Sequence, residues 1–128
     1  MILLTLDELI VIANRVIAGV AYRDIGLLHA AAARPAATFD GKELYPELCD
    51  KAAALVHSVV RSHALVDGNK RLGLAVLLVT LRVNGRRLTL TNDQAYDLIV
   101  AIADGTLDEV DEIAAAVCTG SESIQDVL

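Results

Sequence analysis

Five residues whose side chains can do chemistry lie within nine positions in the middle of the chain: His63, Asp67, Asn69, Lys70 and Arg71. A neutral imidazole can take the proton of an incoming hydroxyl, and a carboxylate is a hard ligand suited to Mg²⁺ shared with phosphate oxygens. The two neighbouring cations can neutralise charge on a transferring group. The combination indicates phosphoryl or nucleotidyl transfer.

The segment that follows must position these residues. Residues 72–81 are apolar or glycine except for Thr80, which predicts a buried central helix over about 69–84, capped by Gly85. The polar cluster then lies at the N-terminal end of this helix, where unpaired N–H groups and the helix dipole attract an anion. Because Gly68 lets a ligand approach the backbone, we interpret the cluster as a phosphate-binding site.

Taken singly, these residues have simpler explanations. A lone histidine at a helix end, such as His63, is more often structural; Asp67-Gly68 alone is most often a turn, and Asn69 alone a helix cap. Their accumulation just before a buried helix favours the functional interpretation. A zinc site formed by His57, His63 and Asp67 lacks the spacing of a helical metal pair, and His57 is predicted to be structural.

The remaining sequence predicts an all-α domain of about six helices spanning residues 1–128. Capping patterns and apolar periodicity place helices over about 6–19, 25–33, 46–63, 69–84, 92–104 and 106–117. The tail from about 119 is expected to be frayed. Residues 36–44 contain Asp40-Gly41, a hairpin turn signal. This segment is either a connecting loop or an exposed flap whose edge pairs with a bound peptide.

Composition and charge narrow the classes of function. The longest apolar run is about half of the ~20 residues that a membrane span needs, and no signal peptide is evident, so we expect a cytoplasmic protein. Residues 1–91 carry 11 basic and 8 acidic side chains, whereas residues 92–128 carry nine acidic and no basic ones. An acidic chain of this kind is a poor nucleic-acid binder. The acidic third is either a solvated face or a surface for a basic partner.

Cys49 and Cys118 are the two cysteines of the chain. Their spacing matches neither a metal site nor a disulfide framework. They are therefore expected to be buried free thiols in a cytosolic protein.

The motif H-A-L-V-D-G-N-K-R at residues 63–71 resembles the signature loop of the Fic/Doc superfamily, H-x-F-x-[D/E]-[A/G]-N-x-R. The form with lysine after asparagine is similar to that of the Doc toxins of toxin–antitoxin modules. The segments R-D-I-G-L-L-H-A-A-A-A-R-P, T-F-D-G-K-E-L-Y-P and K-A-A-A-L also resemble segments of this branch. The resemblance extends over about residues 23–117.

The resemblance implies the helical Fic fold and a transfer from ATP, with Mg²⁺, to a hydroxyl of a target protein. Carried over by position, it implies His63 as general base, Asp67 as magnesium ligand, Gly68, Asn69, Lys70 and Arg71 as the phosphate-binding anion hole, and Arg61 as a further nucleotide ligand. Residues 36–44 correspond to the flap that docks the target.

Departures from the AMP-transferring members bear on the reaction. Those members carry G-N-G-R-x-x-R, whereas Lys70 and Leu74 stand here in place of the second glycine and the second arginine. A lysine at position 70 is expected to narrow the site for the α- and β-phosphates of ATP. Doc toxins have the same lysine and present the γ-phosphate for transfer, and this chain resembles them. The resemblance thus implies a toxin kinase acting on a threonine of elongation factor Tu, with AMP transfer as the alternative.

Two further features concern activity and its control. Leu65 replaces the phenylalanine of the motif, which leaves a catalytically inactive binding module as another alternative. Without an arginine at position 74 to pair with an inhibitory glutamate, inhibition has to come from a separate, Phd-like antitoxin laid in a groove near the site.

Overall fold

The backbone is mostly helical over residues 1–124, the part of the chain that the computed structural model describes. The helices of this part are α1 (Leu6–Val16), α2 (Ile25–Ala33), α3 (Leu48–Ser62), α4 (Asn69–Val83), α5 (Asn92–Ala103) and α6 (Val110–Thr119). A 3₁₀ turn, Arg34–Ala36, follows α2, and four short strands complete the elements: β1 (Thr38–Phe39), β2 (Lys42–Glu43), β3 (Arg86–Leu88) and β4 (Ser121–Ser123). The expected all-α fold with about six helices is confirmed.

Helices α3 and α4 form the centre of the molecule and pack closely against each other. At Gly73 of α4, an added Cβ would lie 2.3 Å from Cγ2 of Val60 in α3. A side chain at position 73 would therefore force Val60 or the packing of the two helices to shift. Helix α3 also packs against α2, α5 and α6, whereas α1 and α5 flank α4.

The prediction that α4 lacks a solvent face is wrong in part. Its residues Leu72, Val76 and Leu77 are fully buried, but Leu78 is 44% exposed. The neighbouring helices leave the strip around Leu78 uncovered. Helix α3 is the more completely buried of the two, with nine buried residues from Cys49 to Val60.

Several helix boundaries differ from the predicted ones. Helix α1 ends at Val16 and α3 begins at Leu48, so the predicted positions 19 and 46 are wrong, whereas the bounds of α2 are confirmed. Helix α6 begins at Val110 because Asp104 accepts a hydrogen bond from the N–H of Thr106 at 2.8 Å and so holds the predicted start in a turn.

Residues 36–44 form the predicted hairpin. Strands β1 and β2 pair antiparallel across Asp40 and Gly41, whose φ angles are 52° and 76°. Both strands are exposed. The buried Lys51 of α3 fixes the base, because its Nζ donates to Glu43 Oε1 at 2.9 Å and to the carbonyl of Pro35 at 3.0 Å. We call residues 36–44 the flap.

The predicted frayed tail is wrong for residues 119–124. Strand β4 pairs antiparallel with β3, and the guanidinium of Arg86 donates to the backbone carbonyl of Ser121 at 2.9 Å. Arg87 also forms a cross-strand ion pair with Glu122. The part of this prediction that concerns residues 125–128 lies outside the described residues.

The cysteines are joined by a disulfide, so the prediction of free thiols is wrong. Cys49 in the first turn of α3 is bonded to Cys118 in the last turn of α6. The reason is tertiary: α3 and α6 pack together and bring two positions 69 residues apart into contact. Cys49 is buried as expected, but Cys118 is exposed. Within residues 1–124, no helix has the length and hydrophobicity that crossing a membrane requires.

Candidate active site

The loop that joins α3 to α4 carries the first half of the motif and pairs with an earlier segment. The carbonyl of Ala64 accepts hydrogen bonds from the backbone N–H groups of Arg23 at 2.8 Å and Asp24 at 3.0 Å. The N–H of Val66 donates to the carbonyl of Ala21 at 2.9 Å. These bonds give the loop a fixed course between two helices.

Asn69 closes this loop with its side chain. Its Oδ1 accepts from the N–H of Leu65 and its Nδ2 donates to the carbonyl of Leu65, both at 3.0 Å. The side-chain amide therefore holds the loop backbone, while the backbone N–H of Asn69 lies at the open end of α4. Asn69 is the first residue of α4, and Gly68, rather than Asn69, is the N-cap. Leu65 is 1% exposed and fills the anchoring position in the core.

Gly68 is required by both its conformation and its surroundings. Its φ of +92° is one that side chains rarely adopt, and a Cβ would lie 2.6 Å from Cδ1 of Ile17. Its N–H donates to Oδ1 of Asp67 at 2.9 Å. Asp67 is exposed and makes no other hydrogen bond in residues 1–124, so its second oxygen is available to a ligand.

The N-terminal end of α4 is open to an anion. No side chain caps this end, so the N–H groups of Asn69, Lys70 and Arg71 have no helical partner. The side chains of Lys70 and Arg71 are exposed beside them. The backbone donors, the helix dipole and two cations thus converge on one place.

His63 follows α3 as its C-terminal cap, in the left-handed conformation with φ 54° and ψ 46°. Its backbone carbonyl accepts a hydrogen bond from Nε of Arg23 at 2.7 Å. The imidazole is exposed and makes no hydrogen bond within the described residues. Both ring nitrogens are therefore free to meet a substrate.

A cavity of about 560 Å³ brings the motif and Leu74 together with residues from the C-terminal end of α1, from α3 and from α5 that the sequence did not indicate. It is lined by His63, Val66, Asp67, Gly68, Asn69, Lys70 and Arg71 of the motif, by Ile17, Val60 and Leu74, and by Tyr96, Ile99 and Ala103 of α5. The α5 residues recur at helical spacing. That signal becomes readable only once α5 is known to pack beside α4.

Arg61 is not among the residues that line this cavity. Its Nη1 donates to the carbonyls of Ala103 at 3.3 Å and Ile102 at 3.4 Å, at the C-terminal end of α5. Gly105 is needed there, because a Cβ at this position would lie 2.9 Å from the same nitrogen. The structure places the Arg61 guanidinium at the C-terminal end of α5, where it acts as a helix cap, outside the residues that line the cavity.

His57 has polar neighbours that sequence reasoning missed. Its Nε2 lies 2.9 Å from Oδ1 of Asp108, and its Nδ1 lies 2.8 Å from Nη1 of Arg34. The hydrogen bond with His57 and the charge of Arg61 lower the pKa of Asp108. This network joins α3 to the α5–α6 loop and to the base of the flap. Its contacts therefore agree with the predicted structural role of His57.

No cluster of three or more His, Cys, Asp or Glu side chains that could hold a metal occurs in residues 1–124. Asp67 is the carboxylate of the motif that could hold a magnesium ion, since Mg²⁺ is commonly bound by one or two protein carboxylates. The free oxygen of Asp67 beside the cationic end of α4 fits that arrangement.

Comparison with known proteins identifies related sequences. Residues 3–81, more than half of the chain, match the model of the Fic/DOC family. The chain is also similar to Toxin Doc of Mycolicibacterium smegmatis, with 50% identity over 95 residues that cover 73% of this chain and 72% of that protein. The family match contains the whole motif, all of α3 and most of α4. The chain belongs to the Fic/Doc family.

Proposed function

We propose that this protein is the toxin of a toxin–antitoxin module and transfers the γ-phosphate of ATP to a hydroxyl of a target protein. The target that we propose is a threonine of elongation factor Tu, whose modification arrests translation. The observation that carries the proposal is the cavity in which the free imidazole of His63 meets the uncapped, cationic end of α4. Membership of the family and the similarity to Toxin Doc support the same class of protein.

The end of α4 is suited to bind and orient the phosphates. The N–H groups of Asn69, Lys70 and Arg71 would donate to phosphate oxygens, and the Lys70 and Arg71 side chains would offset the charge that develops during transfer. Asp67 would hold Mg²⁺, which when bound neutralises phosphate charge. Gly68 lets the chain turn without a side chain in the way.

His63 would act as the general base. The target hydroxyl oxygen forms a bond to the γ-phosphorus, the bond from that phosphorus to the bridging oxygen breaks, and ADP leaves. The hydroxyl proton passes to the imidazole of His63, whose nitrogens have no competing partner in residues 1–124. In phosphoryl transfer the protein contributes mainly by positioning the reactants and by removing the proton of the attacking hydroxyl.

Transfer of phosphate rather than AMP follows from Lys70 and Leu74. Both line the cavity. Leu74 supplies no charge where AMP-transferring relatives have an arginine, and Lys70 occupies space where they have a glycine. AMP transfer remains the second candidate because a cavity of about 560 Å³ is large enough for a nucleotide in either orientation.

A chemically inactive binding module is a weaker candidate. Leu65 is 1% exposed, and Asn69 holds its backbone with two hydrogen bonds, so the loop is anchored without the phenylalanine of the motif. Inhibition of the enzyme is proposed to come from a separate Phd-like antitoxin. An inhibitory glutamate within this chain would lack an arginine to pair with, because position 74 is a leucine.

The test is the intact mass of elongation factor Tu after incubation with this protein, ATP and Mg²⁺, with His63→Ala in parallel. We expect a gain of one phosphate that the variant does not produce, although the variant still binds the nucleotide. A gain of AMP would overturn the kinase assignment. An unchanged mass with both proteins would overturn the proposed target or the activity itself.

A further inference from the structure

We propose that Arg23 is a positioning residue that sets the backbone at His63 and thereby aims its imidazole into the cavity. This inference rests on the proposed role of His63 as base. The guanidinium of Arg23 contacts two successive carbonyls, with Nε donating to His63 at 2.7 Å and Nη2 donating to Ser62 at 3.1 Å. The two donors of one planar group thus fix the last turn of α3.

The hydrogen bonds of Arg23 lie at a strained point of the backbone. His63 has a φ of 54° although it is not glycine, a conformation that costs energy and persists only when its surroundings enforce it. The last carbonyls of a helix lack helical partners, and a cation is favourable at this end of the helix dipole. Arg23 meets both needs at the residue that carries the proposed base.

The side chain and the backbone of Arg23 have separable roles. The N–H groups of Arg23 and Asp24 hold Ala64 through main-chain bonds that a side-chain substitution leaves in place. The buried Leu65 and its bonds to Asn69 fix the rest of the loop. Removing the guanidinium is therefore expected to act locally on His63, with the loop still folded.

The experiment compares Arg23→Ala and Arg23→Lys with Arg82→Ala. Lysine keeps the charge but replaces the planar two-donor group with a single ammonium, and Arg82 is an exposed arginine in the last turn of α4. Phosphate transfer gives kcat and the KM for ATP. Nuclear magnetic resonance of the imidazole signals reports on His63 directly; the chain has three histidines, and His63→Ala assigns the relevant one.

We expect Arg23→Ala to lower kcat by about 10- to 100-fold, because small misplacement of a reacting group costs about this much. The KM for ATP should stay within about twofold, since the phosphate-binding end of α4 is untouched. The His63 signals should shift, and Arg23→Lys should fall between Arg23→Ala and the wild type. Arg82→Ala should match the wild type in both measurements.

Three results would overturn the inference: an unchanged kcat in Arg23→Lys, unchanged His63 signals in the variants, or a loss of thermal stability with full kcat per folded molecule. If Arg23→Ala does not fold, the kcat and the His63 signals of Arg23→Lys still test the inference. Failure of the proposed function is a different result, because a wild type that transfers nothing leaves the His63 signals as a valid test of the contact.

Discussion

At the scale of single residues, structural and chemical duties are divided among neighbours in the motif. The side chain of Asn69 forms hydrogen bonds with the backbone of Leu65, and Gly68 provides the turn into α4. The first backbone N–H groups of α4 therefore remain without a partner in the described part of the chain. His63 and Asp67 line the cavity and have exposed side chains. Substitutions are therefore expected to act differently at residues that shape the loop and at residues proposed to contact the nucleotide.

Gly68→Ala should combine two costs. Its left-handed φ is expected to cost about 1–2 kcal/mol in an L-residue, and the new Cβ must also displace the side chain of Ile17, 2.6 Å away. Gly41→Ala is the matched control, because Gly41 has a φ of +76° and nothing within 4 Å of an added Cβ. Chemical denaturation should show the larger loss for Gly68→Ala, and calorimetry should show weaker ATP binding for that variant alone. Equal losses of stability would contradict the Ile17 contact.

Tyr96 is expected to contact the nucleotide base. It lines the cavity from α5 and is 55% exposed, which leaves its ring available for stacking. Such an aromatic contact is worth about 1–3 kcal/mol by alanine substitution, so Tyr96→Ala should weaken ATP binding by about 5- to 150-fold. Tyr96→Phe should bind normally. Calorimetry with inorganic triphosphate is the control: its affinity should be the same in all three proteins, and an equal loss for triphosphate would contradict stacking.

At the scale of elements, α3 connects the site to the rest of the fold. Its last turn ends at His63, its middle packs against α4 and α6, and its first turn carries Cys49 and Lys51. Lys51 fixes the base of the flap, and Cys49 is bonded to α6. Changes at the start of α3 should therefore lower stability without altering the residues proposed to bind phosphate.

Loss of the Cys49–Cys118 disulfide should lower the free energy of unfolding. The bond closes a segment of 69 residues, and disulfides that close loops of this size typically contribute about 2–4 kcal/mol by restricting the unfolded chain. Thermal or urea unfolding with and without a thiol reductant measures this. Cys118→Ser is the control, since reductant should not change its stability. A wild type equally insensitive to reductant would contradict the bond.

At the scale of the whole molecule, the charge asymmetry of the sequence is partly resolved by contacts between its two parts. Residues 92–128 carry acidic and no basic side chains, yet Asp108 lies against His57 and Arg61 of α3, and Glu122 pairs with Arg87. The acidic third is thus in part bound to this chain's own cations.

The Asp108 contact should appear in the pH dependence of stability. The hydrogen bond with His57, aided by the charge of Arg61, holds the pKa of Asp108 below its usual 3.8. A lowered folded-state pKa contributes stability above the unfolded value, and this is lost as pH falls through the folded value. Asp108→Asn should therefore be less stable than wild type at pH 5, with the gap in melting temperature shrinking towards pH 2. Asp97→Asn, an exposed α5 carboxylate, should show no such gap.

The sequence by itself determined what depends on local pattern. The periodicity of apolar residues specified the helices, Asp40-Gly41 specified the flap turn, and the order of residues in the motif indicated both the family and the anion-binding end of α4. These features follow from interactions between residues close in the chain, where spacing alone fixes which side chains meet.

Only the tertiary structure decided the contacts between distant segments. Helix packing joined Cys49 to Cys118, placed Arg61 at the end of α5 instead of the cavity, brought Tyr96 to the site and put Arg23 on the carbonyl of His63. None of these pairs shares a local pattern. Which distant residues meet depends on how helices dock through their buried faces, and that is set by the packing of the whole core rather than by any one segment.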